Sequence, residues 1–194
     1  MAVEPLLVRL TTDPEAAMAP AARHPRRAHD LRGVFQDAAA LEALIGAGDP
    51  VIYETFEPSL PEAPGHLMFG VTVVYPGRVG TEFFMTRGHY HRHRDTAEVY
   101  VGLRGRGCLV VQAEGADART LPLEPGTVVY VAPGWAHRSV NTGEEPLIFL
   151  YTYPADAGHD YATLAASGFD LLVVHQAGEV VVVPNPRRSV GGSG

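Results

Sequence analysis

The chain lacks several features that would assign it to whole classes of protein. It has one cysteine among 194 residues, which excludes an intramolecular disulfide framework. No apolar run approaches the ~20 residues that a transmembrane helix needs. Residues 1–10 also show no basic segment followed by a long apolar stretch, as a signal peptide would have. These absences predict a cytoplasmic protein with no membrane partner.

An excess of positive charge is also missing. Lysine and arginine together number 15 against 22 acidic residues, and the formal net charge is −7. A nucleic-acid partner requires a basic surface that neutralises phosphates, so this balance argues against one. It leaves open a small phosphorylated ligand, which needs only a local pocket of hydrogen-bond donors.

The chain does contain many glycines and prolines, 21 and 16 respectively, and 46% of its residues are hydrophobic. From residue 51 onward, short runs of β-prone residues alternate with turn signals such as Pro76-Gly77. This pattern predicts an all-β protein, a sandwich or barrel of antiparallel strands with a few short helices. The predicted strands are 51–57, 67–75, 81–86, 97–103, 107–112, 127–131, 137–140 and 146–153.

The remaining segments are predicted as follows. Residues 37–45 favour a helix that Asp37 caps and Gly46 terminates, and residues 164–168 favour a second, shorter one. A C-terminal hairpin is predicted from strands 171–175 and 179–183. The domain prediction is a single domain at 36–188, an N-terminal extension with little regular structure at 1–35, and a disordered tail at 189–194.

Three histidines and a glutamate indicate a metal site. Side chains two apart on a strand share a face, so His89 and His91 can aim at one point, and so can His91 and His93. Glu98 and His137 can join them only if the chain folds back twice. His93 lies beside two arginines in an expected loop and is interpreted as a solvated residue. Three histidines and one carboxylate are then a ligand set for a divalent metal with room for water or substrate.

Five segments of the chain resemble the cupin-type glucose-6-phosphate isomerases, within the broader pattern of two cupin motifs. The likeness extends over residues 31–188. The last segment is the most specific, because generic cupins lack it. The segments are 80–91, 97–100, 124–131, 135–138 and 153–161.

The resemblance implies a homodimeric cupin, a double-stranded β-helix or jelly-roll barrel, that interconverts glucose 6-phosphate and fructose 6-phosphate in glycolysis and gluconeogenesis. It implies one divalent metal per subunit, often iron, and Fe²⁺, Mn²⁺, Ni²⁺ and Zn²⁺ all suit the ligand set. Glu98, Tyr153 and His159 are implied as catalytic residues. Taken alone, Tyr153 is better explained as a core aromatic, and His159 fits a capped turn residue equally well. The implied metal ligands are His89, His91, Glu98 and His137.

The resemblance also implies a set of donors for the substrate. Hydroxyl groups and a glycine N–H can hold a phosphate without net basic charge. Taken alone, Thr72 and Thr86 are explained by their β-propensity. Tyr100 follows Glu98 by two, so both face inward if either does. The implied substrate-binding residues are Tyr53, Thr72, Thr86, Gly88, Tyr100 and Tyr161.

Two positions close to His137 depart from the family's usual residues. Two other functions are also compatible with the ligand set. Ala132 stands where cupins usually have proline, and Gly134 replaces a larger residue, but neither change removes a ligand. Three histidines and a glutamate also suit an iron-dependent cupin dioxygenase, or a non-catalytic cupin that binds sugar or metal. The donor set and segment 153–161 favour the isomerase.

Overall fold

A computed structural model describes residues 4–188, so the tail predicted at 189–194 lies outside the described residues. Short strands dominate, accompanied by helices α1 (Ala38–Gly46) and α2 (Ala162–Ala165) and one turn of 3₁₀ helix, Ala28–Leu31. Within this range no helix has the length and apolarity to cross a lipid bilayer. The strands in chain order are β1 (Arg9–Leu10), β2 (Met18–Ala19), β3 (Ala22–Arg27), β4 (Val51–Glu57), β5 (Leu67–Val74), β6 (Arg78–Val79), β7 (Glu82–Phe83), β8 (Tyr90–His91), β9 (Glu98–Arg104), β10 (Gly107–Ala113), β11 (Ala116–Leu123), β12 (Val128–Val131), β13 (Ala136–Asn141), β14 (Leu147–Pro154), β15 (His159–Asp160), β16 (Leu171–Gln176) and β17 (Glu179–Pro184).

The strands pair antiparallel throughout. The largest sheet has six strands in the order β12-β9-β14-β5-β4-β3, and a second sheet has the order β11-β10-β13. A third sheet, β17-β16-β7-β6, contains the C-terminal hairpin, and β15 pairs with β8 beside the predicted site. The all-β class predicted from the sequence is confirmed. Among residues 4–188, hydrogen bonding leaves the strands in separate sheets that do not close into one ladder.

Most predicted strands occur with ends within one residue of the prediction. The exception is the segment predicted at 81–86, which is a strand only at Glu82–Phe83. Beyond that point the chain meets β13 through two isolated bridges, Met85 with Val140 and His89 with His137. The predicted helix also occurs. Asp37 caps α1, because its Oδ1 accepts a hydrogen bond of 2.8 Å from the N–H of Ala40.

Strand β11 is the longest of the strands that have no counterpart in the sequence prediction. The turn after β10 occupies only residues 114–115, and β11 follows at once. Most of β11 is exposed or half-buried, and its sequence shows no apolar alternation. It forms because its backbone pairs along β10, from Gly107 opposite Leu123 to Ala113 opposite Ala116. A strand held mainly by backbone pairing needs no alternation of apolar and polar side chains, so its sequence gives little sign of it.

The prediction of little regular structure for residues 1–35 is wrong for residues 22–31. Strand β3 extends the largest sheet by pairing with β4, and the 3₁₀ turn after it buries Ala28 and Leu31. All six residues of β3 are exposed, and Pro25 lies within it, as is tolerated on an edge strand. An edge strand held by its backbone carries no hydrophobic pattern to detect. The division of the chain into domains stays a prediction.

A buried carboxylate ties this N-terminal strand to the sheet. Glu54 on β4 is fully buried, and its carboxylate accepts hydrogen bonds from the guanidinium of Arg23 on β3 and from the hydroxyl of Tyr75. One of the two bonds from Arg23 measures 2.9 Å. Because a buried carboxylate is costly unless it is paired, these partners offset its loss of hydration.

Replacing Glu54 with alanine should therefore destabilise the protein. Glu54→Ala removes the acceptor for Arg23 and for Tyr75 and leaves a space in the sheet. We expect the free energy of unfolding to fall by roughly 2 kcal/mol, as for a lost hydrogen bond to a charged group. Urea unfolding monitored by circular dichroism measures the change. An unchanged urea midpoint would contradict the role given to this carboxylate.

Candidate active site

Four side chains, from strands β8, β9 and β13 and from the residue just before β8, meet at one point. His91 is the last residue of β8, Glu98 is the first of β9 and His137 lies on β13. His89 is drawn to His137 by a pair of backbone hydrogen bonds of 3.2 and 3.0 Å between the two residues. One potential ligand atom from each of the four lies within 4.8 Å of the other three. The predicted convergence of His89, His91, Glu98 and His137 is confirmed.

The protein sets the tautomer of His91. Its Nδ1 lies 2.8 Å from the hydroxyl oxygen of Thr96, and that hydroxyl donates its own proton to the carbonyl of His93 at 2.6 Å. The Thr96 oxygen therefore acts as the acceptor, and Nδ1 of His91 carries the proton. The Nε2 atom of His91 is left with a free lone pair directed at the cluster.

Hydrogen bonding sets the tautomer of His137 in the same way. Its Nδ1 lies 3.3 Å from the carbonyl oxygen of Trp135, which can only accept, so Nδ1 carries the proton and Nε2 does not. The Nε2 atoms of His91 and His137 lie 3.0 and 2.9 Å from Oε2 of Glu98. Within residues 4–188, the Nε2 atoms of His89 and His137 have no hydrogen-bond partner, because the short contact from His137 is not aligned for one.

This donor set fits a divalent metal ion. Unprotonated imidazole nitrogens packed around a carboxylate oxygen repel one another unless a positive charge lies between them. Three neutral histidines and one carboxylate are common ligands of such ions, and a histidine whose other nitrogen is hydrogen-bonded is the usual arrangement. His93 is exposed in the turn between β8 and β9 and is not one of the four clustered residues. This position agrees with its interpretation as a solvated loop residue.

Burial and charge shift the protonation of these groups. Burial alone would raise the pKa of Glu98, but positive charge at the positions of His137 and His91, carried by their rings or by a cation bound between them, holds the pKa well below its usual range. Burial lowers the pKa of His89 well below its ordinary value, although this ring is partly open to the cavity, and it lowers the pKa of His159 as well. Burial raises the pKa of Tyr153, and nearby carboxylates add to the shift.

Three of the four residues, His89, Glu98 and His137, line a cavity of about 400 Å³. Several of its walls are aromatic residues of the main hydrophobic core, including Tyr100, Phe149 and Tyr153, so the site is embedded in the core. The structure brings every predicted substrate-binding or catalytic residue to this cavity. They are Tyr53, Thr72, Thr86, Gly88, Glu98, Tyr100, Tyr153, His159 and Tyr161.

The segment that the sequence singled out as most specific packs directly on the metal ligands. Strand β15 pairs with β8, placing His159 opposite His91. The ring of His159 lies 4.4 Å from that of His89 and stacks on Tyr161 at 5.8 Å. The ring of Tyr153 lies 5.6 Å from that of His91. Tyr153 and His159 are therefore beside the ligands, where a reacting sugar would be.

Several lining residues were not identified from the sequence, although a period of two would have found some of them. Thr55 and Glu57 follow Tyr53 at intervals of two on β4 and share its face. The same spacing relates Ser139 to His137, and Tyr151 to Tyr153. His24 and Arg26 also line the cavity, but they lie on the strand that was interpreted as irregular.

Comparisons with known proteins agree with this geometry. The family model described as glucose-6-phosphate isomerase matches residues 25–188. The chain belongs to the glucose-6-phosphate isomerase family. Within the family, the glucose-6-phosphate isomerase of Pyrococcus abyssi is 54% identical over 162 residues, which cover 84% of this chain and 86% of the relative. That of Thermococcus kodakarensis is 49% identical, covering 93% and 95%. The resemblance that the sequence motifs indicated is confirmed.

More distant similarities exist as well. A protein of Rhizobium meliloti named putative glucose-6-phosphate isomerase 1 is 43% identical over 144 residues, covering 74% of this chain and 67% of that one. Among solved structures, an oxalate oxidase superposes on 62% of this chain and 60% of its own, with a TM-score of 0.49 and 15% identity. Bacillus subtilis oxalate decarboxylase superposes on 56% and 27%, with a TM-score of 0.44 and 24% identity.

The residues at positions 132 and 134, which differ from those usual in the family, do not change the position of His137. The turn before β13 is closed by a hydrogen bond of 3.3 Å from the N–H of Trp135 to the carbonyl of Ala132. Gly134 adopts a φ of +82° within this turn, a conformation that favours glycine. His137 follows in place, so the loss of proline at position 132 does not displace the ligand.

Proposed function

We propose that this protein is a metal-dependent isomerase that interconverts glucose 6-phosphate and fructose 6-phosphate. The observation that carries the proposal is the meeting of two features in one cavity. Three of the four clustered ligands line it, and so do hydroxyl and amide donors such as those of Thr86 and Gly88. A hexose phosphate needs both, because its C1 and C2 oxygens suit a metal centre and its phosphate needs donors.

His89, His91, Glu98 and His137 would hold the metal. When bound, it supplies a Lewis acid that polarises the sugar carbonyl. We propose Fe²⁺ as the resident ion, and Mn²⁺, Ni²⁺ and Zn²⁺ suit the same ligands. The hydrogen bonds at Nδ1 of His91 and His137 support the proposal, because they keep both Nε2 atoms ready to bind a cation.

Glu98 is proposed as the base that moves a proton between C1 and C2. Both of its short contacts with histidine involve Oε2, which leaves Oε1 to face the substrate. As a carboxylate, Glu98 can accept a proton from the substrate carbon. The same group would take the proton from one carbon and return it to the other.

Tyr153 and His159 are proposed to assist. Burial raises the pKa of the Tyr153 phenol, so it stays protonated and can donate to a sugar oxygen or relay a proton between oxygens. Burial lowers the pKa of His159, so its neutral imidazole can accept a proton as the sugar ring opens. Their positions beside His91 and His89 support these roles.

The phosphate is proposed to bind at the wall formed by β4, β5 and the chain around Gly88. Arg26 pairs in register with Tyr53, and Arg87 adjoins Gly88, so positive charge lies near the donors at this wall. Charge-assisted hydrogen bonds of this kind favour a dianion. The proposed donors are Tyr53, Thr72, Thr86, Gly88, Tyr100 and Tyr161.

We extend the proposal to a cytoplasmic homodimer with hexose 6-phosphate as its small-molecule partner. The family likeness supports this assignment. Sedimentation equilibrium of the metal-loaded protein tests the subunit number, and a mass near 20.8 kDa would contradict the dimer.

A direct assay tests the function. Metal-loaded protein is incubated with fructose 6-phosphate, and glucose 6-phosphate is measured with a coupled dehydrogenase while an electrode follows oxygen. We expect product without oxygen uptake, and a far lower rate with unphosphorylated fructose. Oxygen uptake would indicate a dioxygenase. Binding of fructose 6-phosphate without product would indicate a sugar-binding protein.

A further inference from the structure

The chain makes a β-bulge where it approaches the metal ligands. Met85 bridges Val140 and His89 bridges His137, so three residues, 86–88, lie opposite only two, 138–139. The N–H of Thr86 still donates to the carbonyl of Ser139 at 3.0 Å, which leaves Arg87 and Gly88 as the two residues that oppose Arg138. Bulges beside active sites re-aim backbone and side-chain groups.

Arg138 lies behind this bulge, on the side away from the cavity. Its neighbours His137 and Ser139 line the cavity, whereas Arg138 is only 5% exposed and packs its guanidinium over the ring of Phe169 at 4.6 Å. Both Nε and Nη2 of Arg138 donate to the carbonyl oxygen of Arg87, at 3.2 and 2.6 Å. A buried guanidinium with two bonds to one carbonyl holds that peptide group rigidly.

The fixed carbonyl determines where the next N–H points. The C=O and N–H of a trans peptide point in opposite directions, so the N–H of Gly88 is directed away from Arg138. Gly88 lines the cavity, and in the described part of the chain its N–H has no hydrogen-bond acceptor. This donor is therefore available to a ligand in the cavity.

A second donor stands on the other side of the bulge. The hydroxyl oxygen of Thr86 accepts from the N–H of Ser139 at 3.1 Å and from the Ser139 hydroxyl at 3.2 Å. Its own proton is left to donate into the cavity. The two donors are separated by Arg87, whose carbonyl Arg138 holds.

The bulge accepts only glycine at position 88. Gly88 has a φ of +73°, and a Cβ atom there would lie 2.6 Å from the Phe169 ring and 2.9 Å from Cβ of Arg138. The close packing brings the backbone against Arg138, so the conformation of the bulge depends on that residue.

We propose that Arg138 is a positioning residue, which holds the Arg87–Gly88 peptide so that the Gly88 N–H and the Thr86 hydroxyl form a preorganised site for the substrate phosphate. This inference rests on the proposed function and names a residue that acts through the bulge without touching the substrate. Preorganised donors bind an anion more tightly because they need not be ordered at the moment of binding.

The kinetic test compares two variants of the metal-loaded protein. Arg138→Met removes the charge and the donors, and Arg138→Lys keeps the charge but cannot form the paired bonds to the Arg87 carbonyl. We expect KM for fructose 6-phosphate to rise about tenfold in both, with kcat changed less than about threefold, because uniform binding is lost. Asn141→Ala is the matched control and should keep KM near the wild-type value, since it removes buried side-chain hydrogen bonds on the same strand, β13, at a residue that does not line the cavity.

A second measurement reads the donor directly and does not require turnover. Zinc-loaded protein labelled with ¹⁵N-glycine is titrated with inorganic phosphate, and the Gly88 amide proton is followed by NMR. We expect a downfield shift in the wild type that is absent or strongly reduced in Arg138→Lys. If Arg138→Met fails to fold, Arg138→Lys carries both tests.

The outcomes separate this inference from the proposed function. Wild-type protein without turnover would contradict the isomerase, while the NMR titration would still test Arg138. The positioning role is overturned if Arg138→Lys keeps the wild-type KM and the wild-type shift of the Gly88 amide proton. Arg138 would then contribute only its positive charge. It is also overturned if Asn141→Ala raises KM as much as Arg138→Met does, which would indicate a general effect of destabilisation.

Discussion

Protein stripped with EDTA should lose nearly all conversion of fructose 6-phosphate to glucose 6-phosphate, and added Fe²⁺ should restore it. The reason is the charge balance at the cluster. Without a cation, the cluster of three imidazoles and the Glu98 carboxylate has no Lewis acid to polarise a sugar carbonyl. We expect residual activity below about 1% of the restored rate, in line with the contribution of a catalytic metal. Coupled assay and metal analysis on the same samples measure both quantities.

Two histidine variants make this test specific. His137→Gln removes a buried ligand and should lose both bound metal and activity, whereas His93→Gln changes an exposed histidine outside the cluster and should keep both. Full activity in the stripped protein, with no metal detected, would contradict a metal-dependent reaction. Equal metal loss in the two variants would contradict the ligand assignment.

Glu98→Gln should lower kcat by about a hundredfold or more while leaving fructose 6-phosphate bound. The amide keeps the size of the side chain and an oxygen that can bind a cation, but it cannot accept a proton from C1 or C2. General acid–base groups contribute roughly 10²–10⁴-fold, which sets the size of the expected loss. Steady-state kinetics give kcat, and isothermal titration calorimetry gives the affinity for the sugar phosphate.

Metal content must be measured for the same variant, because Glu98 is also a proposed ligand. Glu54→Gln is the matched control: it changes another fully buried glutamate, on β4, that does not line the cavity, and it should keep kcat near the wild-type value. A Glu98→Gln protein that retains its metal and a near-normal kcat would refute the base assignment. The proton transfer would then belong to another group, and Tyr153 and His159 are the nearest candidates.

Much of the fold and the site could be predicted from local pattern. Strand β4 was located to the residue because residues 51–57 form a β-prone run between Pro50 and Pro58. The cap of α1 followed from Asp37, whose side chain satisfies an N–H at the start of the helix. Strands β3 and β11 escaped prediction, because backbone pairing holds these exposed segments and leaves no hydrophobic period.

By itself, the sequence determined the kinds of ligand and donor available and their grouping along each strand, because side chains two apart share a face. His89 with His91, and Glu98 with Tyr100, are such pairs. Only the tertiary structure decided that residues from β8, β9 and β13 meet within bonding reach of one ion, and that Arg138 holds the peptide before Gly88. Contacts between residues far apart in the chain depend on how the sheets pair and pack, and a single bulge of one residue changes where a donor points.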